Sequence, residues 1–198
     1  MSSYSSQVTL HQQSPVIQEF GTVKPISLGL TSATRGYVCR RLSGVLADTQ
    51  VLYAMYKKFH WLTRGATFCS LDLLMDKHSG EQLELIDELA ERMQTLGGVA
   101  VGDPRHTAEL TRIRRPANGV EKTSAMLSRL REAHETILVD ARDTATRAGE
   151  GGDGGTSDLL VSKVIRVNEI QCWFLTQHPA NSFPVGAEPV EGPRTAEV

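Results

Sequence analysis

Cysteine and long apolar runs are both scarce in this 198-residue chain, and each shortage excludes a class of protein. The three cysteines, Cys39, Cys69 and Cys172, stand singly. An odd count without a Cys-x-x-Cys pair favours neither a disulfide framework nor a thiolate zinc site. No stretch has the apolar length that a bilayer requires, and no charged start followed by an apolar run marks a signal peptide. We therefore expect no membrane association and a cytoplasmic location.

The chain also lacks an excess of either charge, with 21 basic and 23 acidic side chains. Neither end supplies a local excess, since the first 34 residues hold one lysine and the last 20 hold one arginine against three glutamates. Arg112, Arg114 and Arg115 form a small basic cluster, and such a group more often makes salt bridges than a DNA footprint. Because phosphate contacts dominate DNA affinity, we expect DNA binding to be weak or absent.

Apolar residues make up 40% of the sequence, which is enough for one domain of this length to bury a core. Residues 1–34 and 179–198 are polar, hold six of the eight prolines and show no sustained period. The sequence therefore predicts a flexible N-terminal arm over 1–34, a helical domain over 35–178 and a flexible C-terminal tail over 179–198.

Between these arms, apolar residues recur at three- and four-residue steps in four long segments, which predicts four amphipathic helices. A connection over 99–118 that contains proline and glycine separates the second helix from the third, and it can hold a short helix over 107–114. Thr156 or Ser157 is the expected cap of the fourth helix. Two helical hairpins joined by a long crossover are typical of an all-α, ferritin-like four-helix bundle. The predicted helices span 36–64, 68–96, 120–148 and about 156–174.

The second predicted helix carries four acids within one quarter of its circumference, when residues are placed at about 100° intervals. No lysine or arginine of the same helix lies among them on that arc, so the carboxylates repel one another unless a cation supplies the missing charge. Ions of iron, manganese and zinc can all bind such carboxylates and supply that charge. A merely solvated acidic face is the alternative that the spacing leaves open. The four acids are Asp72, Asp76, Asp87 and Glu91.

These acids are too far apart to form one site within a single chain. Asp76 and Asp87 are separated by about 16 Å along the helix axis. Antiparallel pairing with a second copy across a two-fold axis would bring Asp72 and Asp76 of one chain opposite Asp87 and Glu91 of the other. His60, at the end of the first helix, can fold back beside Asp72 if the turn between the helices is tight, and it would add an imidazole ligand.

A set of short motifs is shared with one known family. They are Lys58-Phe59-His60-Trp61, Arg64-Gly65, Phe68, Asp76, Ile86-Asp87-Glu88-Leu89-Ala90-Glu91-Arg92, Leu96-Gly97-Gly98, Thr156-Ser157-Asp158-Leu159 and Trp173-Phe174. With these motifs the chain resembles, from about residue 36 to 178, the Dps family, the mini-ferritins named for DNA-binding proteins from starved cells. Members of that family form spherical dodecameric cages with ferroxidase centres at two-fold dimer interfaces. The resemblance implies the same assembly and the same kind of site here.

The resemblance further implies an enzyme, a ferroxidase that also stores iron. It assigns His60 and Asp76 of one subunit, with Asp87 and Glu91 of its partner, as iron ligands, and Trp61 as an aromatic neighbour. The implied reaction is oxidation of Fe(II) pairs by hydrogen peroxide, or less often by dioxygen. A ferric oxide core then grows inside the shell, which protects against oxidative damage.

Asp153 and Asp158 flank the glycine-rich loop before the fourth helix, and they resemble the acids that line ion pores at three-fold axes of such cages. A helix N-terminal acid beside a flexible loop explains them equally well. The pore is therefore one of two interpretations of this loop.

One position departs from the family pattern, because Asp72 lies where the family usually has a second histidine. Asp72 can still bind iron through oxygen, but the exchange favours harder ions or weakens one of the two metal positions. His78 is a substitute ligand by its place in the sequence, although it lies on the apolar stripe and is expected to pack in the core.

Two other functions stay open, a non-catalytic shell that buffers iron or a competing zinc ion, and a DNA-protecting shell.

Overall fold

The structure is a computed structural model that describes residues 15–65 and 67–178, and these residues form a helical bundle with no strand among them. The prediction of an all-α bundle of two hairpins with a long crossover is confirmed. The first 14 residues of the predicted arm and the predicted C-terminal tail lie outside the described residues. The helices are α1 (Ser32–Leu62), α2 (Phe68–Thr95), α3 (Pro104–Leu110), α4 (Thr123–Glu150), α5 (Gly154–Leu159) and α6 (Arg166–Thr176), with a π-helical turn, Leu160–Ile165, between the last two.

Helices α1 and α2 form an antiparallel hairpin because the chain between them reverses tightly. Helix α1 begins at Ser32, inside the arm predicted from composition, and the side chain of Thr31 accepts a hydrogen bond at 3.0 Å from a backbone N–H of the first turn. At the other end, Thr63 adopts an extended backbone and its hydroxyl donates to the carbonyl oxygen of Phe59 at 2.7 Å. Gly65 follows with φ 96°, a conformation that glycine adopts without steric cost.

Gly97 ends α2 and ties the N-terminal segment to the bundle. Its φ is +84°, and an added Cβ would lie 2.8 Å from the carbonyl oxygen of Lys24, so any side chain here would force the backbone to shift. The carbonyl oxygen of Gly97 accepts from the backbone N–H of Lys24 at 2.8 Å and from the side chain of Gln18 at 2.9 Å. The guanidinium of Arg35 also donates to the Lys24 carbonyl at 2.6 Å. Residues 15–31 are therefore held by specific hydrogen bonds, which their composition did not predict.

The crossover between the hairpins is fixed by a buried carboxylate. Asp48 on α1 accepts from the hydroxyl of Thr111 at 2.8 Å, from the backbone N–H of Arg112 at 2.8 Å and from the Arg112 guanidinium at 2.6 Å. The same guanidinium donates to Asp140 on α4 at 2.7 Å. Helix α3 starts earlier than the predicted 107–114 because the Asp103 side chain caps it, with Pro104 in the first turn. Arg112 belongs to the predicted basic cluster, and its charge is therefore paired within the fold.

The fourth long helical segment begins with α5 and continues through the π-helical turn into α6. Its N-terminus is capped by Asp153, rather than by the predicted Thr156 or Ser157. The carboxylate of Asp153 accepts from the backbone N–H of Thr156 at 3.0 Å and from the Thr156 hydroxyl at 2.6 Å, and Arg92 of α2 donates to it at 2.5 Å. The prediction failed because the capping acid lies among glycines, where composition suggested only a loop. After α5, the π-helical turn shifts the register of the backbone hydrogen bonds. In the helix that follows, the side chain of Asn168 donates to the carbonyl oxygen of Val164 at 2.7 Å.

The interior is a single apolar cluster contributed by all four long helical segments. None of the described helices is both long enough and apolar enough to span a membrane. The largest fully buried side chains are Tyr56, Phe59, Leu42, Leu46, Leu52, Leu71, Met75, Leu89, Met93, Leu96, Met126 and Leu130.

Candidate metal centre

His60 and Asp72 come together where α1 meets α2. The tight reversal brings Nδ1 of His60 to 3.0 Å from Oδ1 of Asp72 and to 3.1 Å from the Asp72 carbonyl oxygen. Both of these oxygens accept hydrogen bonds, so Nδ1 carries the proton and donates it. Nε2 of His60 is then the nitrogen left for a metal, and Asp72 holds the imidazole in that tautomer and orientation. The second carboxylate oxygen of Asp72 is not used by His60.

Asp76 lies one helical turn further along α2 and is paired with Lys57 of α1. The ammonium nitrogen of Lys57 lies 2.8 Å from Oδ1 of Asp76. This hydrogen bond, reinforced by the positive charge, holds the pKa of Asp76 below its usual value, and it raises the pKa of Lys57. The expectation that the acidic arc has no cationic partner is therefore wrong for Asp76. A metal that uses this carboxylate must displace or share it with the ammonium group.

Asp87 and Glu91 lie further along the same helix, and both are exposed. Neither has a basic side chain within 4 Å among the described residues, whereas other acids of α2 form ion pairs. Asp87 is about 16 Å from Asp76 along the axis, as the sequence predicted, and Glu91 is about 22 Å away. Residues 15–65 and 67–178 of one chain accordingly contain no group of three or more metal-binding side chains. In one chain the residues predicted as ligands lie in two separate places, one where α1 meets α2 and the other further along α2.

Large apolar side chains are exposed beside these donors. Trp61, next to His60, and Leu73, next to Asp72, are each 71% exposed, while Phe68 is 44% and Leu83 is 47% exposed. Large exposed apolar side chains beside these carboxylates are typical of a face that a partner covers.

Three further residues named from the sequence lie elsewhere. His78 is fully buried, and its Nδ1 lies 3.1 Å from the hydroxyl of Tyr56, so it packs in the core as expected. Asp153 is 1% exposed. Its carboxylate oxygens accept the hydrogen bonds that cap the helix, and they form the ion pair with Arg92. Asp158 is exposed. A pore role for Asp153 and Asp158 stays a prediction.

Sequence reasoning did not identify Lys57 as part of this site. In an antiparallel hairpin, a step back along one helix is matched by a similar step forward along the other. Because His60 faces Asp72, the residue three places before His60 faces the residue about four places after Asp72. Applied to both helices, this register would have placed Lys57 opposite Asp76.

Known proteins share this architecture and much of the sequence. The ferritin-like domain family matches residues 40–181. A nutrient stress-induced DNA-binding protein of Synechococcus sp. is 32% identical over 154 residues, which cover 78% of this chain and 88% of that protein. Among solved structures, DpsC from Streptomyces coelicolor is 63% identical with a TM-score of 0.82, over 83% of this chain and 95% of that chain.

A Dps protein from Vibrio cholerae, described as a member of a broad superfamily of ferritin-like diiron-carboxylate proteins, is 27% identical with a TM-score of 0.72. The alignment covers 81% of this chain and 98% of that one. The same helical bundle and the extent of these matches lead to one conclusion. This chain belongs to the Dps family of ferritin-like proteins.

Proposed function

We propose that this protein is a mini-ferritin whose paired subunits bind Fe(II) between them, oxidise it and store the ferric product in a hollow dodecameric shell. The observation that carries the proposal is the spacing of the possible ligands along the α1–α2 hairpin. His60, Asp72 and Asp76 would supply one half of a metal site, and Asp87 and Glu91 would supply the other. The two halves are about 16 Å apart in one chain, so only a second copy can complete either of them.

An antiparallel two-fold pairing of α2 fits the remaining features of this face. Such a pairing places the second half of one subunit against the first half of the other and creates two equivalent sites. It would also cover the exposed side chains of Trp61 and Leu73, removing apolar surface from water. The free energy of that burial and the charge supplied by bound iron would both favour the paired state.

The donors suit iron as substrate. Carboxylate oxygens with one imidazole bind Fe(II) and favour Fe(III) once it forms, because the ferric ion is harder. His60 would bind through Nε2 while Asp72 holds its Nδ1–H, and Glu91 of the partner subunit would reach the same ion. Asp76 and Asp87 would serve a second position. Zinc fits the same nitrogen and oxygen donors and would compete with iron.

Two iron ions held close together change the chemistry of peroxide. Each Fe(II) loses one electron, and one hydrogen peroxide takes up both electrons with two protons to give two water molecules. A single iron supplies only one electron, which leaves a hydroxyl radical. Pairing of the metal positions is therefore the feature that would protect the cell.

A non-catalytic, metal-buffering shell is the second candidate, and the pair formed by Lys57 and Asp76 favours it. An ammonium group on one of the carboxylates lowers the charge available to a second metal. With Asp72 in place of the usual histidine, one position would then bind weakly. Such a protein would hold one iron or zinc per site without accelerating iron oxidation.

The rate of ferric absorbance growth after mixing Fe(II) with peroxide separates the two candidates. Wild-type protein should oxidise iron much faster than buffer alone, and the double variant Asp87→Asn/Glu91→Gln should lose that acceleration. Glu84→Gln, on the same helix but outside the acidic arc, is the matched control and should retain it. Iron that binds without faster oxidation in the wild type would instead support the buffering shell.

DNA protection is a weaker candidate. The relative from Synechococcus sp. is named a DNA-binding protein, yet Arg112 is engaged by two carboxylates here. Arg114 and Arg115 alone would give few phosphate contacts. We expect no retardation of plasmid by the assembled protein in a mobility-shift assay at low salt.

A further inference from the structure

A chain of polar side chains runs through the centre of the bundle, away from the candidate metal centre. Tyr56 of α1, His78 of α2, His134 of α4 and Asn168 of α6 are each 0% exposed. The hydroxyl of Tyr56 lies 2.6 Å from Nε2 of His134 and 3.1 Å from Nδ1 of His78. Nδ1 of His134 lies 2.7 Å from Oδ1 of Asn168. Buried polar groups of this kind require a defined set of donors and acceptors.

The positions of the protons follow from the fixed end of this chain. The side-chain nitrogen of Asn168 donates to the carbonyl oxygen of Val164 at 2.7 Å, so Oδ1 of Asn168 faces His134 and can only accept. Nδ1 of His134 therefore carries a proton. Burial lowers the pKa of His134 to about 3, so the ring is neutral and its Nε2 has a free lone pair.

That lone pair accepts the phenolic proton of Tyr56 in the short 2.6 Å bond. The Tyr56 oxygen, having committed its one proton, accepts in turn from Nδ1–H of His78. The phenol thus has a base aligned with its O–H bond and a donor aligned with its oxygen. This is the arrangement that a phenol needs in order to lose an electron and a proton together.

We propose that Tyr56 is a redox-active residue that gives an electron to strong one-electron oxidants while its phenolic proton moves to Nε2 of His134. An oxidant of the hydroxyl-radical class takes the electron and becomes hydroxide, and Tyr56 becomes a neutral phenoxyl radical. His134 becomes an imidazolium whose two N–H groups face the Tyr56 oxygen and Asn168. Reduction by a ferrous ion returns the electron, and the proton moves back from Nε2 to the phenol.

The surroundings restrict this reaction to strong oxidants. Burial raises the pKa of Tyr56 well above 10, so the easily oxidised phenolate does not form at neutral pH. Hydrogen peroxide is too weak a one-electron oxidant to take an electron from a protonated phenol, so peroxide itself does not oxidise Tyr56. Only the supply of such oxidants inside the shell rests on the proposed function, since they arise when a single Fe(II) reduces peroxide.

A series of ring contacts connects Tyr56 to the surface. The rings of Tyr56 and His78 have centroids 5.4 Å apart, those of His78 and Phe174 5.8 Å, and those of Phe174 and Trp173 4.9 Å. Trp173 is 58% exposed in the chain. Because electron tunnelling weakens steeply with each added gap, contacts of this length provide a route from an oxidised indole to Tyr56. Tyr56 also lies one helical turn before His60 of the candidate metal centre.

Pulse radiolysis of the iron-free assembled protein tests the proposal without iron chemistry. Azidyl radicals oxidise exposed tryptophan, and the absorbance of the tryptophan radical should decay as that of a tyrosyl radical grows. The growth should be lost in Tyr56→Phe and retained in Tyr37→Phe, a phenol near the start of the same helix. It should also be slower in D2O, because a proton moves in the same step.

A second variant tests the proton acceptor. Gln in place of His134 can still accept a hydrogen bond from Tyr56, but its amide is a far weaker base, so His134→Gln should form the tyrosyl radical much more slowly. Circular dichroism verifies that this variant is folded. Undiminished tyrosyl growth in Tyr56→Phe, or equal rates in H2O and D2O, would overturn the proposal. Neither outcome affects the assignment of the metal site, which the ferric absorbance assay tests separately.

Discussion

Acid should destabilise this bundle through His134. The side chain is fully buried in α4, and burial lowers its pKa from 6.5 to about 3. Between these values the unfolded chain binds a proton that the folded chain does not. Stability from the neutral ring is therefore present above pH 6.5 and is lost as the pH falls toward 3. At about 1.4 kcal/mol per pH unit, the loss from this residue is about 3 kcal/mol by pH 4.

Urea unfolding between pH 7 and pH 4 measures this loss. His134→Gln should be less stable at pH 7, because an amide cannot serve both Tyr56 and Asn168 as the imidazole does. Over the acid range, however, its free energy of unfolding should fall by about 3 kcal/mol less than that of the wild type. His106→Gln, which replaces a partly exposed histidine within α3, is the control and should keep the wild-type slope. The reasoning is refuted if the wild type and His134→Gln lose the same stability between pH 7 and pH 4.

Three further substitutions test contacts of the hairpin. Lys57→Gln removes the ammonium that competes for Asp76, so zinc should bind about two- to fivefold more tightly in calorimetry; weaker binding would mean that Lys57 helps the metal. Asp72→Ala removes the acceptor that orients His60, and Fe(II) affinity should fall by about ten- to a hundredfold, whereas an unchanged affinity would rule out that role. Gly97→Ala places a Cβ 2.8 Å from a backbone carbonyl in the left-handed region. It should lower the free energy of unfolding by about 1–3 kcal/mol, and an unchanged urea midpoint would contradict the strain.

The helices could be predicted from the sequence because each long segment has an apolar stripe that repeats with the helical period. Met75 and Leu89, for example, lie on the apolar stripe of α2 and are fully buried. Helix ends were less predictable where a cap depends on distant partners. Asp153 is the clearest case, because its burial depends on Arg92, which lies 61 residues earlier in the chain.

The candidate site could be predicted in part. The acids of α2 share one face because of helical spacing alone, and the short turn fixed the approach of His60 to Asp72. The pairing of Asp76 with Lys57 could not be obtained from one helix, since it depends on the register between two. The pairing of Tyr56 with His134 joins residues 78 positions apart and depends on how the two hairpins pack, which spacing within a segment does not specify.

Mixed assembly of two inactive variants tests the shared site most directly. One variant lacks the first half through His60→Ala/Asp76→Asn, and the other lacks the second half through Asp87→Asn/Glu91→Gln. When both are refolded together, half of the dimers are mixed, and each mixed dimer has one intact site of two. The account predicts that iron oxidation by the mixture recovers to about a quarter of the wild-type rate, although each variant alone is inactive. A mixture as inactive as its components, with mixed dimers verified by mass spectrometry, would contradict a site built from two subunits.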